Sequence, residues 1–281
     1  MTSTPAAASP HDWRRQSGRI GLALLATMLA LALFGPLVLP DPAAQPDIVA
    51  GAQPPTWTHP FGTDELSRDV LSRVVSGARI SLSVAALAVF VSLILGASVG
   101  LIAGYLGGWI DILLMRLVDG ALAIPRLFLL LLLIAVWDDL SLVPFILAIG
   151  ATGWFGTSRL VRAEVLRVKH ETFVQAAESL GAPRSRILWR HLLPNVAGPL
   201  LVAATLAVGN VILLEAGLSF LGVGGVRPPT PSWGRMIYEG KTVLASAPWT
   251  SIFPGMAIVV TVLAVNLVGE ALRGSLDPRN A

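Results

Sequence analysis

The apolar residues of this chain are collected into six long runs, separated by shorter polar stretches. A helix that crosses a bilayer needs about 20 mainly apolar residues, because its backbone polar groups must be satisfied within the helix. The pattern therefore predicts an all-α integral membrane protein with six transmembrane helices. The predicted spans are Ile20–Leu39, Ile80–Ala103, Leu117–Trp137, Leu142–Leu160, Val196–Glu215 and Ile252–Leu272.

Two of these runs have features of their own. The first is longer than the roughly 7–15 apolar residues of a signal peptide, which favours a retained spanning helix over a cleaved leader. The fourth is interrupted by Gly150, Gly153 and Gly156, at a spacing typical of closely packed membrane helices. It is therefore the least regular of the six predicted spans.

The composition agrees with a membrane protein. Of the 281 residues, 54% are hydrophobic and 13% are charged, whereas a soluble domain has about 25% charged residues. The basic pI of 9.9 suggests a nucleic-acid partner, but the net charge is only +3 and the basic residues flank the apolar runs. Basic residues in cytoplasmic loops explain this distribution, so no nucleic-acid partner is expected. The chain has no cysteine, which excludes disulfides and thiolate metal sites.

The distribution of Lys and Arg predicts the orientation. With the N-terminus in the cytoplasm, 13 of the 20 basic residues lie in cytoplasmic segments, six lie outside, and Arg126 falls within a span. This excess predicts that both termini are cytoplasmic. The predicted organisation is a cytoplasmic N-terminus (1–19), a first transmembrane helix (20–39), an extracytoplasmic segment (40–79), a five-helix core (80–272) that includes a cytoplasmic loop (160–195) and an outer segment (222–249), and a cytoplasmic tail (273–281).

The two outer segments differ in character. In 40–79, a proline-rich start leads into Thr63–Val75, where apolar residues recur at helical spacing opposite charged ones. This pattern predicts an amphipathic helix lying on the membrane surface. The segment 222–249 combines prolines, which stop helices, with aromatic residues such as Trp233, which suit a membrane interface.

The sequence does not group side chains that would support an enzyme or a metal site. The four histidines, His11, His59, His170 and His191, show no metal-ligand spacing. Gly240-Lys241-Thr242 resembles the end of a phosphate-binding loop, but five residues separate it from the preceding glycine where that motif has four. The chain is therefore expected to bind no cofactor and no metal. If ATP drives its function, a separate chain must hydrolyse it.

Asp119 and Arg126 are charged residues in the third predicted span, where charge is costly and is usually functional or paired. They are seven residues apart, about 10 Å along a helix axis, which is too far for a direct ion pair. Pro125 is expected to kink the helix between them. One interpretation places Arg126 and Asp119 on a water-filled translocation path, where Arg126 meets a substrate or a partner subunit. The alternative places Asp119 at the inner interface with Arg116, and Arg126 against a neighbouring helix.

The cytoplasmic loop contains the sequence Gln-Ala-Ala-Glu at 175–178, followed by Gly181 and later by Leu193-Pro194. Two alanines leave a flat helical surface that another protein can approach, and Gly181 can adopt the positive φ of a turn. Pro194 suits the first turn of a following helix. The pattern predicts a helix, a turn and a second helix that form a docking element. Close packing within the chain is the alternative for the two alanines.

This loop resembles the cytoplasmic Glu-Ala-Ala loop of permease subunits of ABC importers. There, Glu-Ala-Ala is followed after three residues by glycine and, nine residues later, by a hydrophobic position, any residue and Leu-Pro. The positions in register are Ala176, Ala177, Gly181, Leu193 and Pro194. The departures are Gln175 in place of glutamate and His191 at the hydrophobic position. Gln175 lacks a charge, so an ion pair of that glutamate with an ATPase would be weakened here.

Four other segments, in order along the chain, resemble the second permease subunit of dipeptide, oligopeptide and nickel importers: 61–73, 215–222, 228–234 and 276–279. The resemblance implies a type I ABC importer permease fold in a prokaryotic plasma membrane, importing a di- or oligopeptide, nickel or another small solute by alternating access. The implied partners are a paralogous second permease, one or two ATPases that use ATP and Mg, an extracytoplasmic substrate-binding protein and membrane lipid.

The resemblance also implies roles for particular residues. The implied ATPase-docking residues are Gln175, Ala176, Ala177, Glu178, Gly181, His191 and Pro194. The implied contacts with the binding protein are Asp64, Arg68, Pro231 and Trp233, with a structural turn as the alternative for the last two. Two other functions stay open: a proton-coupled secondary transporter that uses Asp119 or Glu215, and a membrane scaffold that only recruits a cytoplasmic partner.

Overall fold

The computed structural model describes residues 10–44, 51–136, 141–225 and 227–275, with side chains from residue 16 onward. Its α-helices are α1 (Pro10–Val38), α2 (Val70–Leu106), α3 (Gly108–Leu122), α4 (Arg126–Ala135), α5 (Leu142–Val168), α6 (Thr172–Ser179), α7 (Arg184–Arg186), α8 (Leu193–Phe220), α9 (Trp233–Gly240) and α10 (Trp249–Ser275). A π-helical turn, Ile187–Leu192, joins α7 to α8, and a 3₁₀ turn, Lys241–Val243, follows α9.

The long helices confirm an all-α membrane protein. Four stretches are long and apolar enough to cross a membrane, and a fifth span results if α3 and α4 are counted together. Helix α5 is 27 residues long, but its C-terminal half carries several arginines and it is not among these apolar stretches. The number of six spans stays a prediction. The four stretches are Gln16–Val38, Val70–Leu106, Arg184–Phe220 and Trp249–Ser275.

The third predicted span, Leu117–Trp137, is wrong as a single helix. Helix α3 ends at Leu122 and the chain bends by 86° before α4 begins at Arg126. Pro125 accounts for the break, because it has no N–H for the helical ladder and disfavours the helical conformation of the residue before it. The kink expected at Pro125 is therefore a complete interruption. Trp137 lies outside the described residues.

The predicted surface helix over Thr63–Val75 is also wrong. Residues 63–69 form a turn, and α2 begins at Val70, where the Asp69 side chain accepts a hydrogen bond from the Ser72 backbone N–H at 2.8 Å. Aspartate is a preferred N-cap residue because it satisfies such an unpaired donor. Val70 and Val74 are buried in the protein core. The second half of the predicted element is therefore the first turn of a long helix packed within the protein.

Helix α2 packs most extensively on α5, and glycines make this close approach possible. A Cβ added at Gly96, Gly100 or Gly104 would lie 2.6–2.8 Å from atoms of α5. Of the three α5 glycines predicted at a packed interface, Gly150 and Gly153 do contact α2, whereas a Cβ at Gly156 would meet open space. The packing prediction is confirmed for two of the three positions.

Two clusters of buried apolar side chains lie along α2. The larger one surrounds its N-terminal half and includes Phe145 of α5, Ile212 of α8 and Trp233 of α9. The smaller one surrounds its C-terminal end and includes Val165 of α5 and Val174 of α6. Helix α2 therefore connects the part of the chain that holds α9 to the part that holds α6.

Candidate functional site

The predicted docking segment folds as a helix, a turn and a second helix. Helix α6 carries the Gln-Ala-Ala-Glu sequence, and Gly181 follows it with a φ of 78°. The Gly181 N–H donates to the Glu178 carbonyl at 2.9 Å, and the Ala182 N–H donates to the Ala177 carbonyl at 3.0 Å. This is the Schellman arrangement, which places a glycine in the left-handed region just beyond a helix. The predicted glycine turn is confirmed.

The second helix begins earlier than predicted. The helical stretch starts at Arg184, and Pro194 follows the π-helical turn Ile187–Leu192. A proline inside a helix lacks an N–H and its ring clashes with the carbonyl four residues before it. The wider turn, in which the Leu193 N–H donates to the Leu188 carbonyl, accommodates that ring. Pro194 is the second residue of α8, so the prediction that it lies in the first turn of the following helix is confirmed, although helical backbone already precedes it from Arg184.

Helix α6 exposes most of the predicted docking residues. Val174 is fully buried in the smaller apolar cluster and fixes the helix to the protein. The opposite side of the helix is left open to a partner. The exposed predicted residues are Gln175, Ala176, Glu178, Gly181 and Pro194, and the half-buried ones are Ala177 and His191.

Three large apolar side chains in the same segment were not indicated by the sequence pattern. Phe173 is 42% exposed, Leu180 is 88% exposed and Trp189 is 68% exposed. Exposed apolar side chains are typical of a protein–protein interface when they lie close together and are rimmed by polar residues. In the sequence, these three residues could have been recognised as candidate contact residues because they are large and apolar but occur within a charged stretch between two long helices.

A polar contact ties α6 to the end of α2. The Tyr105 hydroxyl donates to Glu178 Oε1 at 3.2 Å. Lys169 Nζ donates to the Tyr105 carbonyl at 2.7 Å and lies 5.5 Å from the centre of its ring. The C-terminal end of α2 therefore contacts both α6 and Lys169, the residue that follows α5.

Polar contacts also connect the α3–α4 region to α5. Arg162 makes two hydrogen bonds to Asp111, at 2.5 and 2.6 Å, and Arg159 Nη2 donates to Asp119 Oδ1 at 2.5 Å. The partner of Asp119 is thus on α5, and the interpretation that places Asp119 at the inner interface with Arg116 stays a prediction. We call these contacts the first and second polar contacts of α5.

Arg126 forms the third polar contact of α5, with neutral groups. Its Nη2 donates to the Ile149 carbonyl at 2.7 Å, and its Nε lies 3.3 Å from Thr152 Oγ1. This arrangement matches the interpretation in which a neighbouring helix holds Arg126. The guanidinium borders a cavity of about 240 Å³ at the break between α3 and α4. Asp119 and Arg126, both predicted on a translocation path, thus contact the same helix through separate partners.

A cluster of charged residues joins residues 64–73 to α9. Arg68 and Arg73 each contact both Asp64 and Glu239, and Arg235 also contacts Glu239. The distances to Glu239 oxygens are 3.1 Å from Arg68 Nη2, 2.8 Å from Arg73 Nη2 and 2.9 Å from Arg235 Nε. Burial alone would raise the pKa of Glu239, but the charge of Arg73 and the hydrogen bonds from Arg235 and Arg73 outweigh it. The pKa of Glu239 therefore lies below its ordinary value.

Glu215 is buried in α8 and is held by three hydroxyl groups. Ser219 and Ser232 donate to its Oε1 at 2.9 and 3.0 Å, and Ser81 donates to its Oε2 at 3.2 Å. These serines belong to α8, to the N-cap of α9 and to α2. Glu215 therefore fastens three elements together, which the sequence pattern did not indicate.

The four predicted contacts with a binding protein are buried within the chain. The exposed fractions are 8% for Asp64, 6% for Arg68 and 0% for Trp233, and Pro231 is also buried. The Trp233 indole N–H donates to the Val74 carbonyl at 2.9 Å. Pro231 and Trp233 are packed inside the chain, so the structural alternative fits them. Asp64 and Arg68 line an open cavity of about 360 Å³, and their contact with a binding protein stays a prediction.

Apolar helices long enough to span a membrane, together with an exposed helix held to the core by Val174, define a multi-pass membrane protein. The chain belongs to the family described as the binding-protein-dependent transport system inner membrane component, whose model matches residues 96–281. The resemblance to importer permeases is thereby confirmed.

Named relatives cover almost the whole chain. It is 40% identical over 260 residues to a dipeptide transport system permease protein of Alkalihalophilus pseudofirmus, covering 92% of this chain and 85% of that protein. It is 42% identical to a putative peptide permease protein of Brucella suis, with 92% and 86% covered. It is 38% identical to an oligopeptide transport system permease protein of Bacillus subtilis, with 92% and 85% covered.

Proposed function

We propose that this permease forms half of the translocation channel of an ATP-driven importer that carries di- or oligopeptides across a prokaryotic inner membrane. The family is one of transport permeases, and the similarity to dipeptide and oligopeptide permeases supports a peptide as cargo. The observation that carries the mechanism is the exposed α6, closed by the Gly181 turn and fixed to the core through Val174.

The proposed assembly has a partner on each face. One or two ATPases, which use ATP and Mg, dock on the 160–195 segment, with Phe173, Leu180 and Trp189 added to the predicted residues. A paralogous second permease completes the channel, and both termini are cytoplasmic. An extracytoplasmic binding protein delivers the solute to exposed residues of the outer segment, such as the fully exposed Trp57, since the four residues predicted for this contact are buried.

ATP-driven closure of the ATPases moves α6, and the spanning helices rock between inward-open and outward-open states. A proton-coupled mechanism has less support, because its candidate carboxylates are engaged. Glu215 accepts three hydrogen bonds and Asp119 is paired with Arg159.

The test is a mild-detergent pull-down of the tagged chain from native membranes. The wild-type chain is expected to bring down a second permease and an ATPase. Gly181→Val should recover several-fold less ATPase and an unchanged amount of the second permease. A left-handed conformation costs a side chain with a Cβ roughly 1–2 kcal/mol, and more than that if the residue is β-branched.

The matched control is Gly181→Asn. A Cβ at this position would meet nothing within 4 Å, so the effect of valine comes from backbone strain and not from crowding. Asparagine tolerates the left-handed region and should retain the ATPase. Full ATPase recovery with Gly181→Val would exclude the turn model. A wild-type chain recovered alone, under conditions that preserve other complexes, would exclude the importer.

A further inference from the structure

The three polar contacts of α5 differ in one respect. The first two join an arginine of α5 to a carboxylate of α3, whereas the third joins Arg126 to a carbonyl and a hydroxyl. No carboxylate of the described ranges lies within 4 Å of the Arg126 guanidinium. Arg126 is thus a half-buried cation in a membrane helix that its own described chain leaves without a counter-charge.

Arg126 has donors left for a further ligand. An arginine carries five N–H donors in a planar fork. The contacts to α5 use Nε and one N–H of Nη2, and Nη1 contacts no acceptor in the part of the chain that the structure describes. A guanidinium edge of this kind matches the two oxygens of a carboxylate.

The cavity beside Arg126 is built to receive a small group. Its volume is about 240 Å³, and its walls include apolar and aromatic side chains as well as the guanidinium. Gly153 lies so close to Arg126 that a Cβ there would approach Nη2 to 2.9 Å, which fixes the position of the side chain. The apolar walls are Leu122, Ile124, Leu129 and Phe155.

The cavity lies part-way along α5. Ile149, which holds the guanidinium, is seven residues from the first residue of α5 and 19 from its last. At a rise of about 1.5 Å per residue, these are roughly 10 and 28 Å from the two ends. Leu122 and Ile124 in its walls are exposed, so the cavity opens at the surface of this chain, away from both ends of α5.

We propose that Arg126 and this cavity form a transient binding site for the carboxylate of the transported solute. This inference rests on the proposed function, and it names the chemistry common to the proposed cargo, since every unmodified peptide ends in a carboxylate. Neutral partners position the guanidinium without neutralising it. A site on a transport path must bind strongly enough to admit a ligand and weakly enough to release it.

The test uses thiol chemistry, because the chain has no native cysteine. Gly156 borders the cavity, and a Cβ there meets open space, so Gly156→Cys places a thiol beside the site. Its modification rate is measured with anionic 2-sulfonatoethyl and cationic 2-trimethylammonioethyl methanethiosulfonate. Adding Arg126→Gln should lower the anionic-to-cationic rate ratio several-fold, whereas Arg126→Lys should preserve it. Gly120→Cys, outside the cavity lining, is the control whose ratio Arg126→Gln should not change.

The second measurement uses the complete complex in proteoliposomes. L-Alanyl-L-alanine should protect the cysteine at position 156 from the anionic reagent more strongly than its C-terminal amide does, and Arg126→Gln should abolish this difference. Equal protection by the acid and the amide, or a rate ratio that is indifferent to Arg126, would overturn the proposal.

A third outcome would also overturn it. If Arg126→Gln lowers recovery of the second permease, then Arg126 pairs with an acidic residue of that subunit. The rate ratio needs no ATPase, so it can be measured even if the importer assembly is refuted in the pull-down. Failure of the carboxylate site and failure of the importer are therefore separate results.

Discussion

Glu215 is a buried ionisable residue, Glu239 and Arg126 are half-buried ones, and the surroundings of the three differ. Glu215 accepts hydrogen bonds from three hydroxyls, whereas Glu239 is surrounded by three arginines. Arg126 contacts only neutral groups in the described chain. Buried charges that are fully partnered hold elements in place. Of the three residues, Arg126 is the best suited to bind a ligand reversibly, because it has no carboxylate partner in the described chain.

The charged cluster around Glu239 predicts an acid-sensitive contact between residues 64–73 and α9. The pKa of Glu239 is lowered from its ordinary value of 4.5. Its stabilising effect is therefore complete above about pH 4.5 and is lost as the pH falls through the lowered, folded-state value. At neutral pH, Glu239→Gln should cost on the order of 1–3 kcal/mol, because it removes the carboxylate charge that faces Arg235 and leaves Arg68 and Arg73 with Asp64 alone.

The measurement is the midpoint of thermal unfolding in detergent, followed from neutral to acidic pH for both proteins. The wild-type advantage should shrink below about pH 4.5. Since all other carboxylates titrate in both proteins, the difference between the two curves isolates Glu239. A constant difference across the whole range would contradict the prediction.

For single residues, the sequence predicts which backbone conformation a residue adopts better than it predicts which groups its side chain contacts. Gly181 could be assigned to a turn because few other residues tolerate a positive φ. Asp64 and Arg68 were assigned to a partner because charged residues are usually exposed. Their burial depends on Glu239, which is about 170 residues away in sequence, and no local pattern reports that contact.

At the scale of elements, α2 and α5 form the most extensive helix pair, and their seam is made of glycines on both sides. Hydrophobic length predicted that both helices exist, but it placed the start of α2 ten residues too late, at Ile80 instead of Val70. The first turns of α2 carry two arginines, Arg73, which contacts Glu239 of α9, and Arg79, which contacts the Leu33 carbonyl of α1. Their sequence is therefore less apolar than that of a typical span. The four-residue repeat of Gly96, Gly100 and Gly104 is visible in the sequence, but its partner helix is not.

The seam predicts opposite effects for two similar substitutions. A Cβ at Gly100 would lie 2.6 Å from the Ser158 carbonyl oxygen, so Gly100→Ala must push the helices apart and should cost roughly 1–3 kcal/mol. Gly156→Ala enters open space and should stabilise by up to about 1 kcal/mol, because alanine favours a helix. Thermal unfolding of both variants in the same detergent checks this. A shift of both unfolding midpoints in the same direction would contradict the prediction that Gly100, but not Gly156, lies at the packed contact between α2 and α5.

At the scale of the whole molecule, α2 runs without interruption from the Asp69 cap to Tyr105, and its two ends contact the charged cluster and the docking helix. The role of the protein was predictable from one loop, because Ala-Ala, glycine and Leu-Pro occur there at a fixed spacing. The sharp bend between α3 and α4 and the cavity beside it could not be predicted from the sequence, because they depend on how a broken helix packs against α5.

The hydrogen bond between Tyr105 of α2 and Glu178 of α6 can be removed by one substitution. We expect the loss of this bond to weaken the stimulation of ATP hydrolysis by the binding protein without preventing the ATPase from binding. Tyr105→Phe removes the hydroxyl that donates to Glu178 and keeps the ring beside Lys169. The ATPase should still be recovered in the pull-down, whereas stimulation of ATP hydrolysis by the binding protein should fall several-fold. The matched control is Tyr238→Phe, since Tyr238 is the only other tyrosine and lies in α9. Equal stimulation in wild type and Tyr105→Phe would exclude this route.

The unbroken length of α2 has a geometric consequence. A helix of 37 residues is about 55 Å long, and it does not shorten when it moves. If it pivots about its Asp69 end by about 10°, Tyr105 is carried sideways by about 10 Å, roughly the diameter of a helix. The helix can therefore act as a lever, in which a small rotation at its Asp69 end becomes a displacement of about one helix diameter at Tyr105, beside α6.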